Sequence, residues 1–212
     1  MPPDTRQSMV LAAVELLRER GVDGVTLDDV LGRSGAPRGS IYHHFPNGRA
    51  QIIDEAAQLS GDAISRLIAK AAAGGPAAVI DAVTAFWRKL LRESDFAAGC
   101  PVVSIAVSAL PDSALARHAN QIFRTWHQLV TDCVMAEGLD APVARRLATM
   151  SLGAIEGAIT MCRATSSLQP LDDVNTELKL LLAARSLFAA APANETDGAP
   201  SKKATRTTRK GS

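Results

Sequence analysis

Between Pro37 and Arg49 the chain gathers Arg38, Ser40, Tyr42, His43, His44 and Arg49 around Gly39. These side chains offer guanidinium forks, hydroxyls and ring N–H groups, which grip phosphate oxygens and polar edges. Their chemistry is recognition, with no nucleophile set beside a base. His43 and His44 are sequence neighbours, so on a helix they are not expected to face each other or to share a metal ion. A thiol nucleophile can be assembled only from Cys100 with His118 or His127, and neither surrounding carries a nucleophile motif. Gly74-Gly75-Pro76 lacks the Lys that a phosphate-cradling loop needs. Neither an enzyme nor a cofactor nor a metal site is expected.

The elements that position these residues are helices. Of 212 residues 47% are apolar and only 4% aromatic. A chain rich in Ala and Leu and poor in aromatics favours helix over a β-sandwich. Cys100, Cys133 and Cys162 are odd in number and lack Cys-x-x-Cys spacing, which excludes a disulfide framework and a zinc knuckle and suits the reducing cytoplasm. No uninterrupted apolar run of span length and no secretory leader is visible, so no membrane association is expected. The net charge of +1 is uneven. Residues 198–212 carry Lys202, Lys203, Arg206, Arg209 and Lys210 without an acid, and residues 192–212 are expected to form a disordered basic tail.

Asp4 and Gln7 are spaced as a capping box ahead of Val10, Ala13, Val14 and Leu17, with Gly21 as a left-handed stop. Thr26 with Asp29 repeats the capping pattern, and Val25 with Val30 forms a hydrophobic staple. Ser34-Gly35 ends that short helix, Pro37 can open a third, and Pro46 closes it. Helix, short helix, tight turn, short helix is the outline of a helix-turn-helix. A long helix follows from about Arg49 to Ala73, and then one carrying Val79 to Leu91. A shorter apolar segment runs from Gly99-Cys100-Pro101 to Pro111. Three long helices complete the chain, at about 113–137, 142–165 and 171–190. The fold class is all-α: a helix-turn-helix domain over 1–47 and a larger helical domain over 48–191.

The stretch from Thr26 to Pro46, with Gly35 in the turn and Gly39-Ser40-Ile41-Tyr42-His43-His44-Phe45 after it, resembles the DNA-binding head of TetR-family transcriptional repressors. Gly99-Cys100-Pro101 and Phe45-Pro46-Asn47-Gly48-Arg49 resemble the LmrA-type subgroup. The resemblance implies double-stranded DNA as a partner, with the third helix entering the major groove. Arg38, at its start, is placed for bidentate bonding to guanine, and Gly39 for close backbone approach. Ser40 and His43 can donate to bases or phosphates, and the family implies a phosphate contact for Tyr42. Thr26 offers a hydroxyl and helix-terminal amides to a phosphate, and Arg49 can neutralise another. His44 serves either DNA or the start of the fourth helix. Pro37 belongs to the contact stretch but stands where the family usually has Ser or Thr, so a hydroxyl is missing; Gly48 stands where Lys is common. Ile41 and Phe45 are assigned to the head core. Six Arg against six acids in residues 1–50 leave no excess positive charge, so charge alone gives modest DNA affinity.

One head covers a half-site, so a homodimer reading a palindrome is expected, its heads about 34–36 Å apart or a multiple of that. Gly153-x-x-x-Gly157 with Ser151, Ala154 and Ala158 provides a small-residue face, and the family implies a four-helix bundle made from the last two long helices of each subunit. Leu178, Leu181, Leu182 and Leu187 are assigned to that bundle core. The resemblance further implies that the middle helices, within a ligand-binding and dimerisation domain over 48–191, enclose a small-molecule effector. Phe86, Trp87, Leu90, Cys100, Val103, Phe123, Trp126, His127, Met150 and Met161 supply a mostly apolar wall, and Glu156 its polar residue. A ligand-carrier or adaptor bundle without DNA binding is the competing reading, and it leaves residues 26–46 unexplained.

Overall fold

The structure, a computed structural model, describes residues 4–190; the basic tail expected at 192–212 lies outside them. No strand occurs among the described residues. The helices are α1 (Thr5–Arg20), α2 (Leu27–Ser34), α3 (Ser40–His44), α4 (Gly48–Ala71), α5 (Gly75–Glu93), α6 (Pro101–Ser108), α7 (Ala114–Ala136), α8 (Ala141–Thr165) and α9 (Gln169–Ala190).

The helix starts follow the side chains that close them. Asp4 accepts from the Gln7 N–H at 2.7 Å, Ser113 from Ala116 and Asp140 from Val143, each satisfying an amide that the helix leaves free. Thr26 Oγ1 accepts from the Asp29 N–H at 3.1 Å and donates to the Asp29 carboxylate at 2.5 Å. That second bond holds the Asp29 carboxyl below its usual pKa. Val25 and Val30, the stapling pair, are fully buried. Gly35 closes α2 at φ 68°, ψ 13°, a left-handed conformation that glycine adopts without strain.

Several details differ from the sequence reading. Gly21 has φ 73° but ψ −174°, so the chain leaves α1 extended instead of curling into a left-handed cap. This sends Val22 and Val25 into the core and lets the Val22 N–H donate to Ser104 Oγ at 3.1 Å. The third helix starts at Ser40 and not at Pro37: the Ser40 N–H and hydroxyl both donate to the Pro37 carbonyl, at 2.9 and 2.6 Å, making Pro37 to Gly39 a turn. The last helix begins at Gln169, whose N–H finds Ser167 Oγ at 3.2 Å. Leu178 and Leu182 are buried within the subunit, whereas Leu187 is 74% exposed. Finally, Gly48–Glu93 contains an 18-residue window of mean hydropathy 1.3, which meets the length and composition of a membrane span. An average tolerates isolated polar residues that break an uninterrupted run. In the fold these helices pack against α1, α7 and α9.

One core runs through the molecule. α4 leaves the head, where Ile52 and Ile53 are fully buried, and continues into the body, where Ile64 and Ile68 are buried. Gly61, midway, lets α7 approach: a Cβ there would stand 2.7 Å from Ile122. Beside it the Trp126 Nε1–H donates to the Gly61 carbonyl at 3.0 Å. Thr26→Ala removes the α2 cap and is expected to cost about 0.5–2 kcal/mol in chemical denaturation, while Thr26→Ser retains most of it. Phe45→Ala, deleting a ring with no exposed surface, is expected to cost about 3–5 kcal/mol by the same measurement.

Candidate nucleic-acid interface and internal cavities

α3 divides its residues cleanly. Ile41 (2% exposed) and Phe45 (0%) face the head core, as assigned, with the Arg6 guanidinium 5.1 Å from the Phe45 ring centroid. Pro37, Arg38, Gly39, Tyr42 and His43 are exposed, Tyr42 to 67%, and Ser40 and His44 are half-buried. The His43 and His44 rings meet edge-on at 5.1 Å. Residues sought as contacts therefore share the outer side of one short helix and the turn before it.

The structure also shows what the other head arginines do. Arg33 grips Glu19 through two bonds of 2.6 and 2.8 Å, which lower the Glu19 pKa and raise that of Arg33. Arg6 pairs with Glu55 and Arg20 with Asp29. Arg49 turns inward: its Nε donates to the Val25 carbonyl at 2.5 Å and its Nη2 to that of Val22. It ties the loop after α1 to α4, so the expectation of a phosphate contact meets a guanidinium already engaged by the backbone. Thr26 is likewise exposed but holds Asp29 with its hydroxyl. Arg38 is different. Its side chain is 84% exposed and meets only Asp28, at 3.2 Å and itself largely exposed, a pair that solvent weakens.

The residues sought for an effector site separate into several places. Trp87, Trp126 and Glu156 line an inner cavity of about 40 Å³, together with Ile64, Val83, Ile155 and other apolar groups. Val103, Phe123 and His127, with Glu156 again, border a groove of about 460 Å³ between α7 and α8. Cys100 and Val103 lie in a cleft of about 300 Å³ where α1 meets α6 and α8, beside Arg18 and Arg163. Phe86 and Leu90 are half-buried on α5 and border none of these three spaces. Met150 (43% exposed) and Met161 (57%) depart from the expectation: they point outward from α8. The helical period explains this, because 150, 153, 157 and 161 form one stripe and 151, 155, 158 and 162 the buried one. A Cβ at Gly153 or Gly157 would meet nothing within 4 Å, and Leu180 and Leu187 of α9 are exposed as well.

Sequence reasoning missed the cleft between head and body. There the Gly99 N–H donates to the Arg18 carbonyl at 2.8 Å and Arg163 Nη2 to that of Glu19 at 3.2 Å. Arg18 Nε is buried without a hydrogen-bond partner, and burial pulls its pKa down. Nothing in the pattern around Arg18 marks it, because it occupies the last turn of α1 as an ordinary basic end residue. Burial also pushes the Cys100 thiol well up, so it is a poor nucleophile. Glu156 is pushed up to about 7 by burial, which the neighbouring Cys100 thiol only partly offsets.

Comparison with known proteins agrees with this arrangement. Residues 10–59 match the bacterial regulatory proteins of the tetR family, and residues 76–177 match the C-terminal domain of LmrA/YxaF-like transcriptional regulators. An HTH-type transcriptional regulator of Mycobacterium tuberculosis is 37% identical over 185 residues, covering 84% of this chain and 94% of its own. The HTH-type transcriptional regulator LmrA of Bacillus subtilis is 26% identical over 84% of this chain and 97% of its own. A crystal structure of a regulatory protein TetR from Rhodobacter sphaeroides shares the fold, with a TM-score of 0.74 at 24% identity, covering 82% of this chain and 96% of that one. An exposed α3 behind a capped α2, set on a helical body of LmrA/YxaF type, places this chain in the TetR family of transcriptional regulators.

Proposed function

We propose that the protein is a ligand-responsive repressor that binds a palindromic operator as a homodimer and leaves it when a small, mostly apolar effector occupies the body. The observation that carries this reading is the exposed set Arg38, Tyr42 and His43 on a helix whose opposite side is locked into the head core. In such a head the third helix enters the major groove and the second crosses the backbone. Residues 1–47 act as the DNA-binding unit and 48–191 as the effector and dimer unit. Arg38 reads a guanine, Gly39 and Ser40 bring the backbone close, and Tyr42 and His43 hold phosphates or bases.

Dimerisation is assigned to the outward stripe of α8, Met150, Gly153, Gly157 and Met161, with Leu180 and Leu187 of α9. Large apolar side chains exposed beside open glycines let helices approach closely and hide that surface. The effector acts by preferring the state in which the heads do not match the groove spacing. Its leverage is its difference in affinity between the two states, typically about 1–3 kcal/mol, or about 5–150-fold in operator affinity.

In gel-shift titrations on the promoter beside its own gene, Arg38→Ala is expected to lose about 1–3 kcal/mol and relax discrimination at one base pair. Tyr42→Phe should lose about 1 kcal/mol on every site. Asp28→Asn, freeing Arg38 from its exposed partner, should tighten binding by up to about fivefold at low salt. Wild-type protein that ignores palindromic DNA at low salt overturns the proposal in favour of a carrier or adaptor. Gly157→Trp should shift sedimentation toward monomer and abolish operator binding together, and a variant that stays dimeric refutes the assigned interface.

A further inference from the structure

Glu156 borders the inner cavity, the α7–α8 groove and the head–body cleft. Leu152, one turn earlier on α8, is shared by the cavity and the groove, so this single turn is the partition between them. The inner cavity is otherwise apolar except for Ser151, and Glu156 is the sole ionisable side chain on its wall. Charged and titratable groups face Glu156 from the other spaces: Arg18 of α1, Cys100 ahead of α6, Arg124 and His127 of α7, and Arg163 of α8. No ion pair joins any of these cations to Glu156 among the described residues. Glu156 is half-buried, and on the side that faces the apolar cavity no cation among the described residues stands within ion-pair reach, so its charge is costly there until a positive group arrives.

We infer that the effector is a lipophilic organic amine, whose ammonium pairs with the Glu156 carboxylate while its apolar body passes the Leu152 partition and spreads the walls between Trp87 and Trp126. The inference rests on the ligand-responsive reading and names the ligand class for it. An ammonium supplies the counter-charge that the cavity lacks, and two indoles on the wall also favour a cation. An anion meets Glu156 as a like charge. A neutral molecule leaves the carboxyl to be ionised alone or kept protonated.

The free carboxyl titrates near 7, and the ammonium binds its ionised form, so binding releases a proton when it starts from the acid form. Affinity for the amine is therefore low below this range, rises through it and levels off above.

The test uses full-length protein without DNA. Trp87 and Trp126 are the chain's two tryptophans and both line the cavity, so intrinsic fluorescence reports occupancy. The probes share one skeleton: 4-butylbenzylamine, 4-butylbenzyl alcohol and 4-butylbenzoate. At pH 8 the amine is expected to bind at least about tenfold more tightly than the other two, and to weaken about tenfold by pH 6 as Glu156 takes up its proton. Glu156→Gln should abolish both the preference and the pH dependence, and Glu156→Asp should keep the preference for the amine. Should the Gln variant fail to fold, the wild-type pH profile decides alone. Equal binding of the alcohol, tighter binding of the carboxylate, a flat pH profile for the amine, or no fluorescence response to any probe overturns the inference. An operator gel-shift without ligand reads the repressor proposal separately. Amine binding by a protein that ignores the operator leaves the inference standing and removes the switch.

Discussion

The whole arrangement depends on α4 being one unbroken helix packed at both ends. Its first turns are head: Ile52 and Ile53 lie in the core behind α1, and Arg49 holds the carbonyls of Val22 and Val25. Its later turns are body: Ile64 and Ile68 form a wall of the inner cavity. At Gly61 the contact with α7 is close, and the Trp126 indole N–H is spent on the Gly61 carbonyl. Displacing α7 or α8 at the cavity therefore moves a lever whose other end carries α1 and, through it, α2 and α3. Close-packed interiors transmit such shifts because they deform poorly. The bonds from Gly99 to Arg18 and from Arg163 to Glu19 form a second joint between head and body, so the head is held on two sides.

The head's electrostatics give that positioning its importance. Arg6, Arg20 and Arg33 are each paired with a carboxylate, Arg49 with backbone carbonyls, and Arg18 is half-buried with its Nε shut off from solvent. Among the arginines before residue 50, Arg38 is left facing solvent with only an exposed acid beside it. A head with so little unspent positive charge gains little from the general attraction to phosphates. On the proposed reading its affinity comes from directed contacts and from two heads acting at the right separation, which makes it sensitive to small changes in geometry.

How far the sequence revealed this can be judged residue by residue. The caps of α1 and α2 at Asp4 and Thr26, the Val25–Val30 staple and the division of α3 into Ile41 and Phe45 within and Tyr42 without were all legible, because each is set by neighbours a few positions away. The bonds of Arg49 to the backbone were not legible, because its partners lie 24 and 27 positions earlier, in a loop whose carbonyls turn toward α4 only after folding. Met150 and Met161 were assigned to a cavity on residue type, but the phase of α8 sends them outward with Gly153 and Gly157. Glu156 was legible as a lone acid among small and branched residues. Its place where three spaces meet is not local information, since helices from α1 to α9 contribute to their walls.

The size of the inner cavity constrains the switch proposed above. At about 40 Å³ it is far smaller than the sites of about 300 Å³ or more that hold drug-sized ligands. Opening it to that size separates packed side chains, and the contacts they lose offset part of what an apolar ligand gains by leaving water. What tips the balance is a polar anchor that the closed cavity leaves unmatched, and Glu156 is the group on this wall able to provide one. The cavity is walled by α4, α5, α7, α8 and α9, so on the proposed reading opening it loads α4 and, with it, the head's seat.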